Sequence, residues 1–229
     1  MIIFSDIELE AVKLSIEVAL YCTIISLPIA LFIGYKMARY DFPGKAILES
    51  IIHLPLVMPP VTTGYILLLL LGSRSFLGIW FFEHLGIKLS FSFYAAVIAS
   101  IFVSFPLMVR SVRTAMEMVD TGLEEASLIL GASKLKTFFR ITFPLALPGI
   151  VSGFVLAFAR SLGEFGATIT FAGNIAGETQ TLPLAIYTYM QIPGSESATF
   201  RLVIISVLIS FFAMILSEWL IKKMKYDKS

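Results

Sequence analysis

The sequence predicts an all-α membrane protein, a polytopic helical bundle with five transmembrane helices. Hydrophobic residues make up 58% of the 229 positions and charged residues only 14%, and the mean hydropathy is +0.90, well outside the range of soluble domains. Five apolar segments reach the length of about 20 residues that a helix needs to cross a hydrocarbon core of about 30 Å. These segments lack the alternation of apolar and polar residues that is typical of membrane β-strands.

The five predicted spans differ in how regular they are. Acidic residues precede the first one, whereas a secretory signal would open with basic residues and close with a cleavage site, so we expect a retained membrane helix. Pro55, Pro59 and Pro60 interrupt the second span and Pro106 the third, and each proline predicts a kink because it removes a backbone donor. A kinked second span either lines a pathway or is a packed bend without a transport role. The predicted spans are 14–37, 51–72, 91–109, 145–171 and 202–221.

The segments between the spans indicate two further short helices. Residues 73–90 contain several aromatic side chains, which favour the membrane interface, so we expect a helix on the outer surface. The outer connection 172–199 contains no Lys or Arg, and its apolar stretch at 182–192 predicts a small helix. That helix either docks an external partner or merely connects two spans.

The distribution of Lys and Arg predicts the orientation of the chain, because basic residues are retained on the cytoplasmic side. With the N-terminus outside, 12 of the 17 Lys and Arg residues lie on the inner side and 4 on the outer side, and Arg160 lies within a span. We therefore expect the N-terminus outside and the C-terminus in the cytoplasm, where a basic tail at 222–228 anchors it. The loop at 114–144 is then cytoplasmic.

The fourth span carries small residues at four-residue intervals, in two rows. Such rows let membrane helices approach closely, since lipid supplies no hydrophobic drive between helices. We predict a helix-packing role for Gly149, Gly153, Ala157 and Gly163, either within one subunit or between two copies. The rows are Gly149, Gly153, Ala157 and Ala159, Gly163, Ala167.

The same span holds two charged residues, Arg160 and Glu164, spaced one helical turn apart and therefore expected on one face. A charge near the middle of a membrane costs a few kcal/mol unless it is paired or wetted, so both residues are functional candidates. One interpretation is a self-neutralising pair that holds the helix in the bundle. The other is a pathway in which Arg160 is a passing contact for an anion.

The loop at 114–144 predicts a short helix with an apolar stripe. Asp120 and Thr121 are candidate N-caps, and Leu123, Ala126 and Leu130 recur at helical spacing. Gly131 then predicts the end of the helix in a residue with positive φ. An apolar helix at the membrane face either docks in a partner's groove or lies on the lipid.

No catalytic, metal or cofactor site is predicted. The chain has only two histidines and no His-Glu-x-x-His motif, and Gly44-Lys45 lacks the other residues of a phosphate loop. Cys22 lies inside an apolar run, where a small buried side chain is expected. The net charge of +1, spread without a basic tract, gives no indication of nucleic-acid binding.

The central loop resembles the EAA loop of ABC importer permeases. Glu125-Ala126-Ser127 is followed after three residues by Gly131, after nine more by Ile141, and then by Phe143-Pro144. Ser127 and Phe143 replace the Ala and Leu of that pattern. The loop, the stretch 42–72 and the stretch 147–187 are together similar to molybdate transporter permeases, and in looser form to sulfate and thiosulfate permeases.

The resemblance implies one ABC type-1 transmembrane domain over residues 1–229, with its core at about 12–218 and its coupling loop at 114–144, in the cell membrane. It implies three protein partners besides membrane lipid: a cytoplasmic ABC ATPase dimer, an extracytoplasmic molybdate-binding protein and a second copy of the chain. ATP hydrolysis then belongs to the partner, and molybdate, with tungstate, is the cargo. The residues implied to couple to the ATPase are Leu123, Glu125, Ala126, Ser127, Leu130 and Gly131.

Three alternatives remain at this point. A sulfate or thiosulfate permease would share the motifs quoted above. A secondary transporter would usually show inverted repeats with broken helices in matching halves, which an odd number of spans disfavours. An intramembrane enzyme would need paired catalytic residues at membrane depth, and the sequence offers no such motif.

Overall fold

The computed structural model describes residues 5–226 and contains no β-strand among them, so the all-α prediction is confirmed. Local capping sets several helix starts. Ser5 forms a capping box with Glu8, and the hydroxyls of Ser75 and Ser92 accept backbone N–H groups in the first turns that follow them. The elements are α1 (Asp6–Arg39), α2 (Lys45–Val57), α3 (Pro60–Leu71), α4 (Phe76–Leu85), α5 (Phe93–Glu117), α6 (Thr121–Ile129), α7 (Lys134–Thr137), a π turn (Phe138–Thr142), α8 (Phe143–Leu162), α9 (Gly166–Phe171), α10 (Leu182–Met190) and α11 (Glu196–Tyr226).

Four helices are long and apolar enough to cross a membrane, and a bent pair supplies a fifth span if it is counted as one. The first and last helices extend beyond the predicted spans at both ends, and α11 includes the beginning of the predicted basic tail. Lys228 lies outside the described residues. The two predicted short helices are present as α4 and α10.

The prediction of one kinked helix over residues 51–72 is wrong, because α2 and α3 form an angle of 114°. The break lies where the prolines predict it. Met58 has φ −70° and ψ 145°, the extended conformation that a following proline favours. Pro60 then occupies the first turn of α3, where its missing N–H leaves no donor unpaired. Consecutive prolines therefore end one helix and begin another.

The prediction of one continuous helix over residues 145–171 is also wrong. The helix begins earlier, at Lys134, and passes through the π turn to Leu162. It ends at Gly163, and a separate short helix, α9, follows. Glu164 lies between the two helices, so it does not share a helix face with Arg160. Its Oε1 accepts the backbone N–H of Ala167 at 2.8 Å and so satisfies the first turn of α9.

The central helix of the bundle is α5, which is largely buried between α1 and α8. A first core cluster, which includes Met37, Met108 and Ile150, joins these three helices near the ends of α1 and α5. A second cluster, which includes Leu67 and Phe171, joins α1 and α5 to α3 and α9. By contrast, α11 exposes nearly all its large apolar side chains, as expected for a helix that faces lipid.

The row of small residues on α8 lies against α5. A Cβ placed on Gly149 would come within 2.5 Å of the Cβ of Ala115, and one on Gly153 within 2.7 Å of the Cβ of Ser111. Ala157 is fully buried in the first core cluster. This row therefore packs within the subunit. Gly163 is different, because it is exposed and its Cβ would meet only backbone oxygens of its own helix, at 3.9 Å. Gly163 therefore makes no close helix contact within the described part of the subunit, and packing between two copies, the other role predicted for it, stays a prediction.

We expect Gly153→Val to lower the free energy of unfolding by about 1–3 kcal/mol, the usual cost of overpacking a filled site. The Cβ alone would lie 2.7 Å from the Cβ of Ser111, so α5 and α8 must shift to admit the added side chain. The apparent melting temperature of the purified protein in detergent measures the effect. Gly163→Val is the matched control and should change it little. Equal melting temperatures for the two variants would contradict the close approach of α5 and α8.

Candidate functional site

The candidate site is built on α6, whose ends are fixed by local interactions. Asp120 caps the start of the helix, with its Oδ1 accepting the N–H of Gly122 at 2.8 Å. At the other end, Gly131 has φ +86°, as predicted from the sequence. Its N–H donates to Leu128 O and the N–H of Ala132 donates to Ser127 O, which together form a Schellman motif. Both signals are local, which is why the sequence contained them.

The face of α6 that carries the predicted apolar stripe is open. Leu123 is 48% exposed and Leu130 87% exposed, and Ala126 is exposed beside them. Together with Ser127 and Gly131 these residues border a shallow depression, whose far wall is formed by Lys136, Arg140 and Ile141. Glu125 is also exposed, but it lines a separate depression together with Leu128. A helix of nine residues that exposes this much apolar surface is typical of a surface that another molecule covers.

The opposite face of α6 is held by a carboxylate that sequence reasoning missed. Glu124, next to the Glu125 that the EAA-like spacing selects, accepts three hydrogen bonds from Arg39 at 2.9–3.2 Å. Thr142 Oγ1 donates a further hydrogen bond to Glu124 Oε1 at 2.6 Å. The side chains of Arg39 and Glu124 are only 10% and 13% exposed, so this is a largely buried, charge-assisted contact.

A second contact lies along the same face. Ser127 Oγ and Thr137 Oγ1 are 3.0 Å apart, and Thr137 is buried. Ser127 is therefore half-buried: its hydroxyl contacts the body of the protein, and the residue also borders the depression described above. Arg39 also reaches back to the connection before α6, where its Nη2 donates to Val119 O at 3.0 Å.

Two other ion-pair groups lie at this end of the bundle and do not involve α6. Arg113 on α5 contacts Glu49 on α2 at 2.6 Å and Glu117 on its own helix at 2.7 Å. In the connection after α1, Lys45 Nζ lies 2.8 Å from Asp41 Oδ1, and this hydrogen bond holds the pKa of the Asp41 carboxyl below its ordinary value. The charge at this end is thus arranged in separate local pairs.

The structure brings Arg160 and Glu164 together but places them far from α6. Arg160 Nη1 lies 2.9 Å from Glu164 Oε2, with Glu164 2% exposed and the Arg160 side chain 32% exposed. Along the helix axis Arg160 is about 27 Å from Thr142, at 1.5 Å per residue. The pair lies at the break after α8, close to the break between α2 and α3. A Cβ on Gly166 would lie 2.8 Å from the Cβ of Pro60.

Within residues 5–226, no three His, Cys, Asp or Glu side chains lie close enough together to hold a metal ion. Cys22 is buried, as expected, with its Sγ 3.1 Å from Ser104 Oγ. The described residues of the site thus form a surface for association and a largely buried ion pair.

Comparisons with known proteins agree with this arrangement. A family described as binding-protein-dependent transport system inner membrane component matches residues 26–226. The molybdenum transport system permease protein ModB of Escherichia coli (strain K12) is 52% identical over 218 residues, 95% of each chain. The probable sulfate transport system permease protein cysT of Chlorokybus atmophyticus is 37% identical over 193 residues, 82% of this chain and 67% of that protein.

Among solved structures, a chain of the inward-facing MetNI methionine ABC transporter matches with a TM-score of 0.75. The match covers 96% of this chain and 99% of that chain at 16% identity. Identity at this level shows a shared fold alone. The fold predicted from the sequence, a polytopic permease bundle, is confirmed by it.

We expect Gly131→Val to loosen α6, because a β-branched residue at φ +86° is strained by about 1–3 kcal/mol. No atom lies within 4 Å of the position a Cβ would take, so the effect is conformational and not steric. Hydrogen–deuterium exchange of the α6 amides measures it. Gly131→Asn is the control, because Asn tolerates this conformation better. Identical exchange in both variants would show that the turn does not depend on glycine.

Proposed function

Because the chain belongs to the family of binding-protein-dependent transport system inner membrane components, we propose that it is the membrane-spanning permease subunit of an ABC importer that carries molybdate into the cell. The observation that carries the proposal is the 52% identity, over 95% of both chains, to a permease named for molybdenum transport. Tungstate, a tetrahedral oxyanion of the same charge, is the expected second substrate. The chain is a multi-pass membrane protein, and the cytoplasmic membrane is its proposed location.

Transport in this proposal is driven by a separate ATPase, and α6 is the part of the chain that docks on it. The exposed face of α6 with Leu123, Ala126 and Leu130 supports that role, since it is apolar and uncovered in the described chain, and Glu125 is exposed on another side of the same helix. Closure of an ATPase dimer would draw the α6 helices of two permease subunits together. The packed bundles would then rock as rigid bodies and open the pathway on the other side.

The proposed orientation places α6 in the cytoplasm and the N-terminus outside. The excess of Lys and Arg on the α6 side supports it. At the opposite end, Glu8 on α1 pairs with Arg201 on α11 at 2.6 Å, so the beginnings of these two helices lie together. The connection that carries α10 lies at that end too, because Leu182 N–H donates to Ser15 Oγ at 2.6 Å. We propose this end as the docking side for a molybdate-binding protein, with a second copy of the chain completing the permease.

For Arg160 and Glu164 we propose the structural role, with contact to the passing anion as the alternative. Both carboxylate oxygens of Glu164 are engaged, one by Arg160 and one by the N–H of Ala167. A neutral pair attracts a dianion weakly, whereas a buried carboxylate at a helix break needs its cation. The partial exposure of Arg160 is the observation that keeps the alternative open.

A sulfate-type oxyanion permease is the second candidate function. A relative named for sulfate transport is 37% identical to this chain, and sulfate is also a tetrahedral dianion. The identity is lower and that protein is longer, so molybdate remains the stronger proposal. Membership in a binding-protein-dependent family leaves no support for a secondary transporter or an intramembrane enzyme.

Arg160→Met should reduce the yield of folded, assembled permease, because it leaves the buried Glu164 carboxylate without its cation, at a cost of about 3 kcal/mol. Size-exclusion profiles of the purified protein measure this. The double variant Arg160→Met with Glu164→Gln should recover much of the yield, since no orphan charge remains. Normal assembly of Arg160→Met with reduced molybdate uptake would instead favour the anion-contact role.

Stimulation of ATP hydrolysis tests the proposed function directly. The permease, its ATPase and its binding protein are reconstituted together, and the binding protein is added empty or loaded with molybdate, tungstate or sulfate. We expect stimulation by the molybdate- and tungstate-loaded protein only. Stimulation by the sulfate-loaded protein would favour the second candidate, and failure of any ATPase to associate with the permease would contradict the importer itself.

A further inference from the structure

Two of the contacts that hold α6 come from one helix, in which a π turn separates the two contacting residues. Thr137 contacts Ser127, and Thr142 contacts Glu124. The two threonines are five residues apart, and in a regular α-helix of 3.6 residues per turn they would point about 140° away from each other. The π turn spans Phe138–Thr142, with Phe143 N–H donating to Phe138 O in the i→i+5 pattern. This extra residue in the turn brings both hydroxyls onto the face that meets α6.

Arg39 adds a third point of attachment, from α1. Its planar guanidinium contacts both oxygens of Glu124 and also Val119 O, so it joins the end of α1 to α6 and to the connection before it. The ion pairs at the end of α5 do not attach α6, because among the described residues Arg113 pairs with Glu49 and Glu117. In the described chain α6 packs chiefly on α7 and the π turn. Besides the chain connections to α5 and α7, the side-chain contacts through which a force on α6 reaches the bundle thus include these threonines and Arg39.

We propose that Glu124, Arg39 and Thr142, the last oriented by the π turn, act as positioning residues that transmit the movement of α6 to α1 and α8. The inference deepens the proposed function and depends on it for its consequence in transport. In this arrangement Glu125 and Glu124 have different tasks. Glu125 is exposed for an external partner, and Glu124 is turned inward and fixes the helix to the subunit.

This assignment has a specific mechanical consequence. Lys134–Leu162 is one continuous helix, so its attachment to α6 at one end places the break at Gly163 and the Arg160–Glu164 pair at the other. Arg39, the last residue of α1, attaches that helix to Glu124 of α6 at the same end of the bundle. The two helices that flank α5 are thus attached to α6 at the same end of the bundle, and both pack along α5.

Thr142→Val is the most economical test, because it replaces one hydroxyl with a methyl group and leaves the Arg39–Glu124 pair in place. In the reconstituted importer we expect unchanged association with the ATPase and a fall of about two- to thirtyfold in anion transported per ATP hydrolysed, the range in which changes along a coupling network act. Thr142→Ser retains the hydroxyl and should restore the ratio. Glu124→Gln should lower it further than Thr142→Val.

The control is Asp41→Asn, which removes an exposed ion pair at the same end of the bundle that has no contact with α6. It should leave transport per ATP unchanged. A value for Thr142→Val and Glu124→Gln equal to that of the unchanged protein would overturn the proposal. So would an equal loss in Thr142→Ser and Thr142→Val, because the hydroxyl would then not be the cause.

A second measurement separates this proposal from the proposed function. Hydrogen–deuterium exchange of the α6 amides is measured on the purified permease, without ATPase, binding protein or anion. We expect faster exchange in Thr142→Val and Glu124→Gln than in Asp41→Asn. Unchanged exchange would overturn the attachment even if transport is confirmed. Faster exchange with unchanged transport per ATP would show that the contacts do not position α6 for coupling.

Discussion

A helix that stops inside a membrane leaves backbone groups that neither water nor lipid can satisfy, and the chain meets this constraint in two ways. At the first break, Pro59 and Pro60 have no N–H to leave unpaired. At the second, Glu164 accepts the N–H of Ala167, and the hydroxyl of Thr170 donates to Gly166 O. Since Glu164 is almost fully buried, its charge in turn requires Arg160. The Arg160–Glu164 ion pair therefore follows from the break in the helix, whether or not Arg160 also contacts the transported anion.

The same constraint explains why α5 and α8 lie so close together. Lipid offers no hydrophobic drive for helix association, so small residues and the dispersion contacts they permit must supply it. Gly149, Gly153 and Ala157 bring α8 against α5, and Ser111 Oγ donates to Gly149 O at 3.0 Å across the contact. Around this central pair, the outer elements α2, α3 and α11 expose apolar surface.

The α6 end combines a fixed inner face with an open outer face. Polar contacts to Arg39, Thr137 and Thr142 cover one side of the helix, and apolar side chains remain exposed on the other. Such a division suits a helix that is held by hydrogen bonds to its own subunit and still has a surface available to a partner. It also places two adjacent carboxylates, Glu124 and Glu125, in different surroundings, since neighbouring residues on a helix point about 100° apart.

The sequence by itself determined what depends on consecutive residues. Apolar segments of membrane-spanning length predicted the bundle, and Pro59-Pro60 marked the position of the break between α2 and α3. Gly131 predicted the end of α6, and Asp120, one of the two candidate N-caps, caps its start, because caps and turns are local. Only the tertiary structure decided the 114° angle between α2 and α3, the end of α8 before Glu164, and the inward position of Glu124. These features depend on residues far apart in the chain, such as Arg39 and Glu124, which are in contact although they lie 85 positions apart. No local sequence pattern indicates which distant side chain will form such a contact.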